Sequence, residues 1–272
     1  MAIEYAAKYS GKVDERFKLA AKTAPAVNND YEFTGVDTVK VYTIPTVALG
    51  DYSLTGTNRY GTPEELQNAV QTMVLTQDKS FTFVVDKKSE DDTMGAMQAG
   101  QALRRQIDEV VIPTVDKYRL AAMVSGAGKT ATGSIDGEKA YAAFLDGQNT
   151  LLENGVPETG RMAYVSPAFY KAIKLDASFI KASDVAQNML ANGSLGIVDG
   201  VNIIPVPAAY LPANVQFIIT HVSATVSPVK LETYKVHIDP PGINGNLVEG
   251  RIRYDAFVLN NKKGAIYVHK SA

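Results

Sequence analysis

Residues 125–130 read SGAGKT, where Gly-x-Gly followed by a lysine and a hydroxyl residue has the look of a phosphate-binding loop. In G-x-x-x-x-G-K-[ST] the glycines let backbone N–H groups wrap a phosphate while the lysine meets its charge. Gly128, Lys129 and Thr130 fit that ending, but the first glycine falls at Met123. Such a loop must also follow a buried strand and open a helix. Here the residues before it carry helical periodicity and ATGSIDG (131–137) after it is turn-rich, so both contextual conditions fail. FTFVVD (81–86), an apolar run ending in acid in the manner of a magnesium-binding strand, precedes the loop instead of following it. The stretch is read as a flexible connector, and a small nucleotide-binding enzyme built on SGAGKT stands as the alternative of a different class.

Other reactive-looking pairs reduce to structural roles in the same way. Asp91-Asp92 sits at a predicted helix start, where negative charge suits the helix dipole, and Glu64-Glu65 lies in a loop. Ser166-Pro167 lacks the flanking glycines of a nucleophile elbow and reads as a helix start. The glycines at 95, 100 and 126–128 lack the strand–turn–helix frame of a dinucleotide site. His221, His237 and His269 are far apart, and the chain has no cysteine, which excludes disulfides, cysteine–zinc sites and thiol catalysis. Arg251, Arg253, Lys262, Lys263 and Lys270 can face nucleic acid, or equally form a solvated face or subunit contacts. No catalytic residue, cofactor site or metal site is assigned, and the expectation is a protein that is not an enzyme.

The elements around these residues are those of a soluble protein of one or two domains. The 272 residues are 46% hydrophobic and 21% charged, with net charge −2, so the whole molecule has no strong attraction for nucleic acid or an acidic membrane. No apolar run reaches the ~20 residues of a membrane span, and MAIEYAAKYSGK lacks a signal-peptide core. Synthesis in the cytoplasm and no membrane partner are expected.

Residues 1–35 are poor in large apolar side chains, with a short amphipathic helix expected around Phe17, Leu19 and Ala20, and read as an arm that needs a neighbour to lie on. TVKVYTIPTV (38–47) alternates as a strand, GDYSLTGTNRYGTPEEL (50–66) is a long mobile connection, and 73–88 is a second strand with Phe81, Phe83 and Val85 on one face. That hairpin has too few apolar residues to stand alone and needs a partner surface. From Ser89 and Asp91 as caps, helical spacing runs through Met94, Met97, Leu103, Ile107, Val110 and Val111, read as packed core, with a kink or restart at Pro113. Helices follow at 138–155 (one face Tyr141, Phe144, Leu145, Leu151, Leu152), after Ser166-Pro167, and at 183–193. Strands follow at 161–166 and 215–221, with a hairpin at 195–207 turning at Asp199-Gly200 and a second at 251–270 turning at 261–264.

This order of elements resembles the major capsid protein of tailed bacteriophages, the Hong Kong phage-type shell fold shared with encapsulins and herpesvirus shells. SFTFVVDKKSEDDTMGAM (80–97) is similar to the family's passage from hairpin into spine helix. RRQIDEVVIPTVDKYRL (104–120) is similar to the R-x5-VIP-x-x-D run of that helix, and GSLGIVDGVNIIPVP (193–207) to the hairpin of the axial domain. The resemblance implies an α+β fold with an N-terminal arm (1–35), an extended hairpin loop (36–88) over a neighbouring subunit and a spine helix with linker (89–137). An axial domain (138–235) and a closing hairpin of the peripheral domain (236–272) complete it. It implies a structural shell protein, assembling as pentamers and hexamers into an icosahedral head around double-stranded DNA that it does not bind sequence-specifically. Expected partners are other copies of itself, a portal and a separate scaffolding protein, because the first predicted strand begins only some forty residues from Met1. The expected location is the virion, after assembly in the host bacterial cytoplasm. A same-fold alternative is an encapsulin-type compartment holding a cargo enzyme. Arg59, Lys87 and Lys88, which bracket the hairpin, are the expected intersubunit contacts, with ordinary solvated charge as the alternative.

Overall fold

The computed structural model describes residues 21–28, 30–31, 38–63, 65–66, 68–92, 98–135, 139–182 and 196–272. The expected helix around Phe17, Met94 and Met97, and the expected helix at 183–193 lie outside them.

In chain order, β1 (Thr38–Thr43) and β2 (Ala69–Val74) form a two-stranded antiparallel ribbon, Thr38 opposite Val74 and Thr43 opposite Ala69. β3 (Gln77–Asp86) then leaves that ribbon for a different sheet. The single strand expected at 73–88 is therefore two, divided at Leu75 and Thr76. α1 (Lys87–Asp92) starts two residues before the expected Ser89 cap, because the Asp86 carboxylate already accepts from the Lys88 N–H at 2.9 Å.

The spine consists of α2 (Ala99–Gln106), a π-helical turn (Ile107–Val111) and α3 (Ile112–Ser125), a rod of about 40 Å. The π turn has a local cause. Pro113 offers no N–H and its ring would press on the carbonyl four residues back, and the wider turn makes room. The Ile112 N–H donates to Ile107 O, and the Thr114 hydroxyl takes the Val110 carbonyl at 2.6 Å.

β4 (Lys129–Thr132), α4 (Ala140–Glu153), β5 (Arg161–Val165), α5 (Pro167–Leu175) and α6 (Ala177–Ala182) come next. β6 (Ile197–Val198), β7 (Val201–Pro205) and β8 (Val215–His221) are followed by the short β9 (Thr225–Val226). β10 (Val229–Ile238), β11 (Gly245–Tyr254), β12 (Phe257–Val258) and β13 (Ile266–Lys270) end the chain.

Two sheets organise the whole. A six-stranded mixed sheet runs β4-β13-β8-β5-β7-β6, and a three-stranded antiparallel sheet runs β10-β11-β3. The hairpin expected at 251–270 does not form: β11 pairs with β10 and β3, whereas β13 pairs with β8 and β4 in the other sheet. Residues 255–265 thus carry the chain from one sheet to the other. The six-stranded sheet accordingly draws two of its strands from outside 138–235.

The main core sits on that sheet. Phe217 is central, with ring centroids 4.5 Å from Phe169, 5.9 Å from Phe144 and 5.9 Å from Tyr267, all among buried side chains. On α4, Phe144 and Leu151 face the core as the pattern predicts, but Leu152 points outward. Buried charge is tied down here. The Asp176 carboxylate accepts from Tyr141 N at the start of α4 and from Ser178 N in α6. Arg161 donates to Gln148 Oε1, Val156 O and Pro157 O. Burial pulls its guanidinium down from the ordinary value, Glu158 and Asp199 opposing.

The spine lies on the smaller sheet. Ala99 and Leu103 pack on Val85 and Val248, and Val111 and Val115 on Ile252 and Tyr254. Of the residues read as the spine's apolar run, Val111 is buried, whereas Val110 is 47% exposed.

Candidate functional site: an assembly surface

The β1–β2 ribbon has a root bound to the body and a tip whose described residues are exposed. At the root, Met73 and Leu75 are buried with Val226 and Leu259, and Val39 and Val41 pack against that cluster. Side chains complete the seam: Gln71 donates to Val258 O at 2.9 Å and accepts from Asn260 N at 2.9 Å, and Asn261 donates to the Thr43 hydroxyl at 3.0 Å.

The point where the chain passes from ribbon to sheet is fixed by one carboxylate. Asp255, 2% exposed, accepts from both Thr76 N at 2.7 Å and Thr76 Oγ1 at 2.8 Å with one oxygen. Its other oxygen takes Tyr118 OH and Ala256 N, each at 2.8 Å. Burial, and then the Asp255 carboxylate as acceptor, raise the Tyr118 phenol above its usual range, which keeps it a donor. Hairpin, spine and small sheet therefore meet at Asp255. Its signal in the sequence is a lone acid within YDAFV (254–258).

Beyond the root the surface changes character. Of the 18 large apolar side chains exposed among the described residues, ten lie between Tyr42 and Val74, including Ile44, Val47, Leu49, Leu54, Tyr60 and Leu66. Leu54 is 82% and Tyr60 93% exposed. A two-stranded ribbon has no face on which to bury them. So many exposed apolar side chains in one segment make it a candidate interaction surface, with no chemistry beyond exclusion of water. The tip itself is folded. Ser53 N donates to Arg59 O and Gly61 N to Asn58 O, both at 3.0 Å, and the Tyr52 and Tyr60 rings meet edge-on at 5.0 Å.

A model of the phage capsid protein family matches residues 67–268, three quarters of the sequence. The chain belongs to the phage capsid protein family. Solved structures agree on the fold. A structure of Mycobacterium phage Che8 matches at TM-score 0.81 and 19% identity, covering 97% of this chain and 96% of that one. The capsid structure of the cyanophage P-SCSP1u matches at TM-score 0.79 and 13% identity, over 98% and 93% of the two chains. The head structure of the Helicobacter pylori bacteriophage KHP40 matches at TM-score 0.76 and 10% identity, over 98% and 95%. Comparison with curated protein sequences gives no significant match. The Hong Kong phage-type fold expected from the order of elements is the one found, and the capsid protein's role is structural.

The three basic residues expected to make intersubunit contacts do not form one cluster by sequence or element. Arg59 is in the exposed tip, its Nε donating to Gly56 O at 3.2 Å, whereas Lys87 and Lys88 open α1 at the far end of β3. The N-terminal segment also departs from expectation. Residues 22–28 do not await a neighbour: Ala26 and Val27 join the main core, and Asn28 N donates to Thr225 O at 2.7 Å.

SGAGKT is placed in this capsid protein by backbone packing. The segment follows α3, and Lys129 opens β4, paired in parallel with β13, where a phosphate loop would open a helix. Gly128 N donates to Lys263 O at 2.8 Å, and a Cβ at Gly128 would lie 2.6 Å from that backbone. The glycines allow two chain segments to touch, so the expected flexible connector is instead a pinned sheet edge. Among the described residues no group of three acids or histidines can hold a metal, and no helix is long and apolar enough to cross a membrane.

Proposed function

We propose that this capsid protein assembles with copies of itself, as pentamers and hexamers, into the icosahedral head that encloses a phage's double-stranded DNA. The exposed apolar surface of the hairpin carries the reading. Each of these side chains stabilises an interface by roughly 1.5–3 kcal/mol when fully covered, whereas left in water they favour aggregation. Their covering by a neighbouring subunit gives the surface a use and explains why the root is rigid while the tip is bare. The matching structures include a capsid, a phage head and a mature capsid, which supports a virion location for this chain also. DNA is held by enclosure without base reading, in keeping with the net charge of −2. A portal and a separate scaffolding protein are the further partners proposed, with assembly in the host cytoplasm. Family membership supports packaged DNA over the cargo enzyme of a compartment shell.

Negative-stain microscopy of the expressed full chain tests this. Shells, tubes or capsomer rings are expected. A stable small monomer at high concentration would overturn the proposal.

A further inference from the structure

We propose that a hydrogen-bond chain, buried from Thr23 to Asp255 and ending on Thr76, couples the N-terminal segment to the hairpin root, so that the grip of residues 22–28 on the body sets how firmly the hairpin is carried. The coupling is a property of the single subunit and holds whether or not shells form.

The links are continuous. The Asp116 carboxylate, in the middle of α3, accepts from Lys22 N at 2.8 Å, from Thr23 N at 3.3 Å and from the Thr23 hydroxyl. Arg119, one turn on, donates through Nη1 to Thr23 Oγ1 at 3.3 Å and through Nε to Ser227 Oγ at 2.7 Å. Ser227 Oγ donates to the Asp255 carbonyl at 2.8 Å. The Asp255 carboxylate holds Thr76. Two segments 53 residues apart in sequence are thus joined through two consecutive turns of the spine helix.

Proton bookkeeping fixes the direction of the chain. A hydroxyl has one proton to give. Thr23 gives its proton to Asp116 and Ser227 gives its own to Asp255 O, so both must accept from Arg119. Arg119 is the hub that donates both ways. Burial lowers its pKa, the Asp116 charge opposes that, and the guanidinium stays a cation with no acceptor role. Thr23, Asp116, Arg119, Ser227 and Asp255 are all buried, so water cannot replace a lost link among them, while the last partner, Thr76, is exposed. Breaking one link leaves the next group unpaired in a low-dielectric interior, and the loss passes along the chain. The aspartate of the V-I-P-x-x-D run is thereby assigned a role, as the anchor of the N-terminal segment.

Amide hydrogen exchange on the full chain, with three variants, tests the coupling. Thr23→Val should speed exchange about tenfold at Thr76 and in the β1–β2 ladder as well as at residues 22–28, with the β5–β8 amides unchanged. Thr76→Val, at an exposed position least expected to disturb folding, should reciprocally speed exchange at Asn28. Ser227→Ala should speed both ends, and its effect should not add to that of Thr23→Val. Acceleration confined to the Thr76 end in Thr76→Val, or to only one of the two ends in Ser227→Ala, would overturn the proposal, even if Thr23→Val failed to fold.

Discussion

The six-stranded sheet and the β1–β2 ribbon are built from similar strand-forming residues and end in opposite environments. In β8, VQFIITH, five of seven residues are buried, and the rings around Phe217 fill the space above. In β1, TVKVYT, burial merely alternates between half-buried and exposed, and past Thr43 every residue to Gly61 is exposed. One region folds because it covers itself. The other is held at its base and leaves its apolar side chains in solvent, and the difference separates mutations expected to destroy the subunit from those expected to spare its fold.

The largest contrast lies at the two extremes. Phe217→Ala should cost about 4 kcal/mol, the range of a large-to-small change at a buried aromatic, and leave little folded protein in a denaturant titration. Leu54→Ala in the tip should shift stability by less than about 0.5 kcal/mol in the same titration.

Asp255→Asn comes next, because the carboxylate holds three elements with four hydrogen bonds. The amide can accept with only one of its two atoms, and a loss of about 2 kcal/mol is expected. The loss should appear in thermal melts and as faster exchange at Thr76, while β5 and β8 keep their protection.

Gly250→Ala should follow. The glycine on β11 lies beneath the Phe81 ring, stacked on Tyr234 with centroids 6.1 Å apart, and a Cβ there would sit 2.3 Å from Phe81. The rings must tilt to admit it, an overpacking cost of about 1–3 kcal/mol, measurable by chemical denaturation.

The smallest effect is electrostatic. Arg251 donates to both Asp78 oxygens, at 2.9 and 2.6 Å, on the exposed face of the small sheet. The Arg251 hydrogen bond holds Asp78 below its ordinary carboxylate value, against desolvation and with lesser help from the charges of Arg251 and Arg253. A depressed carboxylate stabilises the fold above its unfolded pKa, and that help is lost as pH falls through the folded value. Arg251→Gln should therefore flatten the acid limb of stability against pH below about 4, weakly and less so at high salt.

Local chemistry was legible in the sequence wherever the cause was local. The Asp199-Gly200 turn is present with φ of +48° and +74°, Ser166 caps α5 by accepting from Phe169 N at 3.2 Å, and Pro113 sits beside the distorted spine turn. What was not legible was set by partners distant in the chain. The 73–88 run splits because Asp255, 179 residues away, grips Thr76. Lys129–Thr132 becomes a strand only because β13 offers an edge, and the 251–270 hairpin is replaced because β13 finds β8 instead of β11. Exposure likewise escaped periodicity. Ile107, expected at the heart of the spine's apolar face, is half-buried at the π turn while Val111 is buried. Ile107→Asp should thus cost less stability than Val111→Asp, as comparison of soluble yields and melts would show. The bare hairpin was anticipated from its shortage of apolar neighbours. The apolar density of the exposed surface itself emerged only with the fold.

The central claim is that the hairpin's apolar surface exists to be covered by another copy. The direct measurement compares the full chain with its Leu49→Asp, Leu54→Asp double variant by sedimentation and electron microscopy, alongside thermal melts of both. The account predicts an unchanged melting midpoint for the variant subunit and no shells or capsomer rings. Shells formed as readily by the double variant as by the parent chain would contradict it.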